Sequence, residues 1–255
     1  GGVVRLVGSG GLTANSGTIN AGGRTETDTG GTVEVLGDQV ALMAGSDIDA
    51  SGPAGGGTVL IGGDYQGSGD TPTAQRTYVD ADATISADAT ENGDGGKVIV
   101  WADEATGFHG GISAKGGAQS GDGGFVEVSG KQTLQFDGFV DTSAVNGAYG
   151  MLLLDPTNIY VVADEAYPGE TLITLSGSDR TIDWDDYSGT DSYIDAASLD
   201  VNANVTLRAT QDVYFETSVS NSNSERSLTV EAGDDIYVGY THTTDAVSYT
   251  HLTLP

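Results

Sequence analysis

The sequence has no cysteine, which excludes disulfides, thiolate metal sites and cysteine nucleophiles but does not by itself name a compartment. Basic residues are scarce: 9 Lys and Arg stand against 37 Asp and Glu, a formal net charge of -28 over 255 residues. Such a chain repels phosphate backbones and anionic lipid, so neither nucleic acid nor a membrane surface is an expected partner. No apolar run approaches the 18 or more residues of a membrane-spanning helix, and no charged start followed by an apolar stretch marks a signal peptide. The expectation is a soluble chain without membrane insertion. The three histidines, at 109, 242 and 251, have no i, i+4 partner and no Ser/Asp setting, which argues against a zinc site or a catalytic triad.

Glycine is abundant instead, with 40 residues, and it is ordered. Five segments share one pattern: Gly1-Gly2-Val3-Val4-Arg5-Leu6, Gly30-Gly31-Thr32-Val33-Glu34-Val35, Gly56-Gly57-Thr58-Val59-Leu60-Ile61, Gly95-Gly96-Lys97-Val98-Ile99-Val100 and Gly123-Gly124-Phe125-Val126-Glu127-Val128. A worn sixth follows at Gly150-Met151-Leu152-Leu153-Leu154. The starts are 29, 26, 39, 28 and about 26 residues apart, a unit of about 27 with one insertion. A second signature, Ile19-Asn20-Ala21, Ile48-Asp49-Ala50, Ile85-Ser86-Ala87, Ile112-Ser113-Ala114 and Val140-Asp141-Thr142, places that insertion at 62–77. A weaker apolar pair lies between them, as Leu42 and Ala44, Val79 and Ala81, Leu134 and Phe136.

Each unit thus carries three short alternating runs separated by turn residues, and none offers a helical face. One unit cannot bury its own apolar side, but parallel stacking sets like residue over like residue. The fold class expected is all-β, a right-handed parallel β-helix with three strands per coil. Val4, Val33, Val59, Val98, Val126 and Leu152 form one interior column, Leu6 to Leu154 a second, and Ile19 to Val140 a third. The Gly pairs then serve corners, through positive φ or close contact with the next coil. No Lys-Ser/Thr follows them to suggest a phosphate cradle.

Beyond Pro156 the Gly pairs stop, with Thr171–Leu175 and Tyr193–Ala197 expected as strands. Val205–Phe215 aligns with Leu228–Val238 at an offset of 23 residues, which reads as a shorter coil of the same solenoid. Three regions follow: coils with Gly pairs over 1–159, a second repeat type over 160–245, and a non-repeat tail over 246–255, read as non-native in origin.

The segments Gly30–Asp38, Gly62–Gly67, Val98–Asp103, Phe125–Lys131 and Leu152–Asn158 together resemble internal repeats of filamentous-haemagglutinin-like exoproteins. That resemblance implies a large secreted adhesin at the bacterial cell surface, exported through an outer-membrane partner by two-partner secretion, with a glycan or protein receptor that it does not specify. Nothing here resembles the N-terminal secretion domain of such proteins, so the sequence reads as an internal segment.

Candidate chemistry is sparse. Asp47 with Asp49, Asp80 with Asp82 and Asp183 with Asp185 have same-face strand spacing, but none stacks into a column with a base. The turns Asn92–Gly96 and Ser120–Gly124 offer hard oxygen ligands for weak calcium binding, though not at the spacing of tandem calcium repeats; no other cofactor is expected. A non-catalytic structural segment of an adhesin is therefore expected, with a carbohydrate-active β-helix enzyme, lyase or hydrolase, as the alternative. One place breaks the alternation. Leu36, Leu60, Ile99 and Trp101 fall at outward positions on neighbouring coils, beside an insertion that holds Tyr65 and Pro72. Either the insertion folds over this patch, or Trp101 and Tyr65, with Ile99 and Leu60, remain open to stack on a sugar or a partner.

Overall fold

The computed structural model describes residues 1–163, 173–175, 182–184, 191–220, 222–239 and 247–254. Five coils follow one another, each of three strands. They are β1 (Val3–Val7), β2 (Leu12–Asn15) and β3 (Thr18–Asn20); β4 (Thr32–Leu36), β5 (Gln39–Leu42) and β6 (Asp47–Asp49); and β7 (Thr58–Ile61), β8 (Arg76–Val79) and β9 (Thr84–Ser86). Then come β10 (Lys97–Ala102), β11 (Ala105–Phe108) and β12 (Gly111–Ser113), and β13 (Phe125–Gly130), β14 (Thr133–Phe136) and β15 (Phe139–Asp141). Every strand pairs in parallel with its counterpart one coil away, which defines a parallel β-helix. Among the described residues no helix is long and apolar enough to cross a membrane.

The interior columns form in the expected register, Val4↔Val33↔Val59↔Val98↔Val126↔Leu152 and Ile19↔Ile48↔Ile85↔Ile112↔Val140. From the second coil onward these side chains are essentially fully buried. At roughly 1.5 to 3 kcal/mol for each fully buried aliphatic side chain, the columns are the main favourable contribution to the fold. The middle strand sits two residues earlier than the Ala44 and Ala81 pattern implies. Its inward pairs are Val40 and Leu42, Thr77 and Val79, Thr106 and Phe108, Leu134 and Phe136. Threonine is tolerated inside because its hydroxyl is spoken for: Thr77 Oγ1 donates to the Trp101 carbonyl at 2.7 Å and Thr106 Oγ1 to that of Ser129 at 2.8 Å.

The Gly pairs act through close approach alone, because none of those at 30–31, 56–57, 95–96 and 123–124 has a positive φ. A Cβ on Gly30 would lie 1.7 Å from the Ala50 carbonyl oxygen, and one on Gly123 would lie 1.7 Å from that of Thr142. The second Gly of each pair donates its N–H to the preceding corner, as from Gly57 to Ala50 and from Gly124 to Ala114, both 2.8 Å.

After the fifth coil the topology changes. β16 (Met151–Leu154) continues the first face, pairing with β13 and with β21 (Asn204–Ala209). On the second face β17 (Asn158–Val162) does not pair with β14. A later strand, β20 (Asp191–Asp195), enters between them, parallel to both. Two short strands, β18 (Ile173–Leu175) and β19 (Ile182–Trp184), form an antiparallel pair, and Arg76 donates to the Ile182 carbonyl at 2.9 Å. The strand expected over Tyr193–Ala197 ends at Asp195 and passes into a 3-10 turn, Ala196–Leu199; of Thr171–Leu175, residues 171 and 172 lie outside the described residues. The 23-residue offset is a real coil step, since β21 and β22 (Val213–Phe215) both pair in register with β23 (Leu228–Val238). The tail continues no coil: β24 (Val247–Leu254) runs antiparallel along β23.

Candidate functional site

The insertion forms a closed loop on a fixed neck. Ala74 N–H donates to the Gly62 carbonyl at 2.7 Å, so residues 63–73 hang over the outer side of the first face. Asp64 starts a 3-10 turn, Tyr65–Gly67, by accepting from Tyr65 N–H at 2.7 Å, and binds Lys97 Nζ at 2.5 Å. Gly63 and Gly67 lie against the Trp101 indole so closely that a Cβ on either would sit 2.9 or 2.8 Å from ring atoms. Asp103 joins both parts, accepting from Trp101 Nε1 at 3.1 Å and from Thr73 Oγ1 at 2.6 Å.

This settles the position of the four candidate binding residues. Leu60, Ile99 and Trp101 make one buried cluster, against which Tyr65 and Phe125 pack, the two rings edge to face at 5.7 Å. Trp101 is 4% exposed. Of the two arrangements expected, the structure has the cover: the insertion lies over the indole, and of the four residues only Tyr65 keeps partial exposure. Leu36, the fourth apolar outward residue, is also buried.

The loop also rests on a carboxylate. Glu127 points outward from β13, between Ile99 on one neighbouring strand and Leu153 on the other, and is fully buried. Gln66 N–H donates to both its oxygens, at 3.2 and 3.1 Å, and Gln66 Nε2 donates to Asp155 Oδ2 at 2.5 Å. Burial pushes the Glu127 carboxyl up to about 7, against the opposing pull of the Gln66 N–H, the Ser129 hydroxyl and Lys97; Asp155 pushes it in the same direction as burial. Burial also raises Asp155, whose near cation is Arg208 at 4.0 Å. Asp64 goes the other way: burial raises it, but Lys97 and the Tyr65 N–H outweigh that and hold it below the ordinary range. Glu34 occupies the equivalent place in the second coil and is paired with Arg5 instead.

Sequence reasoning passed over Glu127 because Thr-Val-Glu-Val and Phe-Val-Glu-Val look alike. The signal was in the column, which reads Leu60, Ile99, Glu127, Leu153 outward from coil to coil.

A second feature also escaped it. Tyr193, Tyr160, Tyr214 and Tyr237 stack along the outer second face, with centroids 5.6, 4.5 and 4.7 Å apart and the last two pairs within 9° of parallel. Asp212 and Asp235 accept from the Tyr214 and Tyr237 hydroxyls at 3.0 Å. Burial and Asp212 raise the Tyr214 phenol above its ordinary range. Rings stacked face to face turn those faces toward each other, not toward a sugar, so the stack holds coils together.

Several of the remaining acids bond within or between turns of the stack. Asp94 accepts from Asp122 N–H and Asp122 from Ala148 N–H, both 2.8 Å, so the turns singled out for calcium link coil to coil. Asp49 accepts from Asn20 and from Ser51 N–H, Asp47 from Thr84, and Asp80 from Asp82 N–H. Asp185 and His242 lie outside the described residues, and only the backbone of Asp183 and His251 is described. His109 binds Asp137 at 2.5 Å beside the Tyr78 ring. Among the described residues no three His, Asp or Glu side chains converge as metal ligands. No protein-family model and no curated protein matches the chain.

Proposed function

We propose that the chain is a non-catalytic structural segment of a large secreted bacterial adhesin of the filamentous-haemagglutinin-like kind, serving cell adhesion as an elongated scaffold. The observation that carries this reading is the coil stack itself: one interior column runs unbroken from Val4 to Leu228. The acids of the corners also serve that stack, accepting backbone N–H groups of their own turn or of the next coil. Export by an outer-membrane partner and residence at the cell surface belong to the same proposal and rest on the sequence resemblance.

The enzyme reading has one feature in its favour, the buried Glu127 carboxyl, pushed up to about 7 by burial, with Asp155, Lys97 and Arg208 around it. Against it, the Glu127 oxygens are occupied by Gln66 and out of reach of a polysaccharide. One experiment separates the readings. The segment is displayed on a non-adherent bacterium, and attachment to host cells is scored beside reducing-end release from a polysaccharide panel. Raised attachment without release is expected. Release that Glu127→Gln abolishes would sink the scaffold reading.

A further inference from the structure

We propose that residues 63–73 are a hinged cover whose closure is coupled to ionisation of Glu127, so that lifting it uncovers Leu60, Ile99, Trp101 and Phe125 together. The geometry has the parts such a device needs. The neck between Gly62 and Ala74 is fixed, while Gly67 and Gly69 within the loop have positive φ and can absorb a change of backbone angle. Gln66 also has a positive φ, 52°, a conformation that is costly for a residue with a side chain. What holds it there is its N–H on the Glu127 carboxyl and its side chain on Asp155.

The charged groups around Glu127 come from every element packed on it. Lys97 stands on β10, Asp155 follows β16, and Asp64 and Tyr65 lie in the cover; behind Asp155 come Arg208 on β21 and its partner Glu231 on β23. With the cover closed, Ile99 and Leu153 flank the carboxyl and Gln66 roofs it, so its charged form loses water. With the cover lifted, water returns. The closed state therefore favours the protonated acid, and closure weakens as pH rises. The Asp64–Lys97 pair acts oppositely but only where Asp64 itself protonates, below its ordinary range. Closure is tightest below the open-state range of Glu127 and above the range in which Asp64 protonates.

If Glu127 titrates at an ordinary 4.5 when open and about 7 when closed, the closing constant falls about 300-fold overall and about 70-fold between pH 5 and pH 8. The raised Asp155 adds to the same trend. The test is amide exchange at Gln66, resolved by NMR and divided by the intrinsic rate at each pH. Its protection factor should fall at least about 70-fold from pH 5 to pH 8, and Glu127→Gln should remove most of that dependence, leaving only the share of Asp155, since the amide keeps an oxygen for the Gln66 N–H and carries no charge. In the unsubstituted chain protection should start to fall near pH 4.5 and level off in the range, about 7, where the Glu127 carboxyl carbon titrates. Equal protection at both pH values, unprotected exchange at pH 5, an unchanged profile in Glu127→Gln, or a Glu127 carboxyl that titrates at an ordinary 4.5 would each overturn the proposal.

Discussion

Replacing Gly123 by alanine tests the corner geometry most directly. The added Cβ would fall 1.7 Å from the Thr142 carbonyl oxygen, where Gly123's own coil ends, and 2.4 Å from Gly150 N, where the next begins, both backbone atoms. Neither can swing aside as a side chain would. Restoring an ordinary contact of about 3.2 Å means parting the two coils locally by about 1.5 Å. The hydrogen bond from Gly150 N–H to that same Thr142 oxygen, 2.9 Å long, lies in the gap and would break. Overpacking of about 1–3 kcal/mol and a lost bond of about 1 kcal/mol make a total of about 3 kcal/mol. For a chain of this size that lowers Tm by about 6–12 °C. Gly111 provides the control: it opens β12 and, like Gly123, has no positive φ, but a Cβ there meets nothing within 4 Å. Gly111→Ala should leave Tm unchanged or raise it slightly, because alanine restricts the unfolded chain more than glycine does. Thermal melts followed by far-ultraviolet circular dichroism decide the matter. If the two variants melt within a degree of each other, close approach is not the reason for glycine at the corner.

Three further outcomes are expected. In β15, Val140 is fully buried and its neighbour Phe139 is 52% exposed; Val140→Asp should cost several kcal/mol and Phe139→Asp no more than about 0.5 kcal/mol, so similar urea midpoints would contradict the alternation. Deleting residues 66–71 should increase binding of a hydrophobic dye and lower stability, because it uncovers Leu60, Ile99 and Trp101; unaltered dye binding would mean that the loop covers nothing. Because the folded state raises Glu127 from 4.5 to about 7, its favourable contribution is complete below pH 4.5 and is lost as pH rises through 7, by up to about 3 kcal/mol. Glu127→Gln should gain stability relative to the parent chain by that amount between pH 4.5 and pH 8, and urea titrations showing a constant difference would refute it.

The first five coils were legible because their information is local and repeated. A Val or Ile at most interior positions of the first and third strands states the same register five times, and a Gly pair opens each coil. The middle strand carries a weaker pattern, and its inward pairs lie two residues before the Ala44 and Ala81 positions: at Val40 and Leu42, where Ala44 also fits an alternation, and at Thr77 and Val79, where threonine dilutes the apolar signal. The entry of β20 between β14 and β17 could not be read, since Tyr193 and Ile194 alternate as any coil strand would; pairing order depends on which edge is free when the chain returns. For the site, the outward apolar residues were visible one at a time. Their burial depended on Gln66 reaching Glu127, 61 positions further along, and no local pattern records that distance.

The intercalated strand gives the solenoid the equivalent of an edge dislocation in a layered crystal. Between the fifth coil and β23 the first face advances by three inter-strand steps, through β16 and β21, while the second advances by four, through β20, β17 and β22. At about 4.8 Å per step, one side of the rod is longer than the other by a whole layer. A stack with unequal sides has to absorb the extra layer, and it does so between Met151 and Asn204. A solenoid otherwise built of near-identical layers thus carries one built-in irregularity, at a place set by the pairing order of its strands.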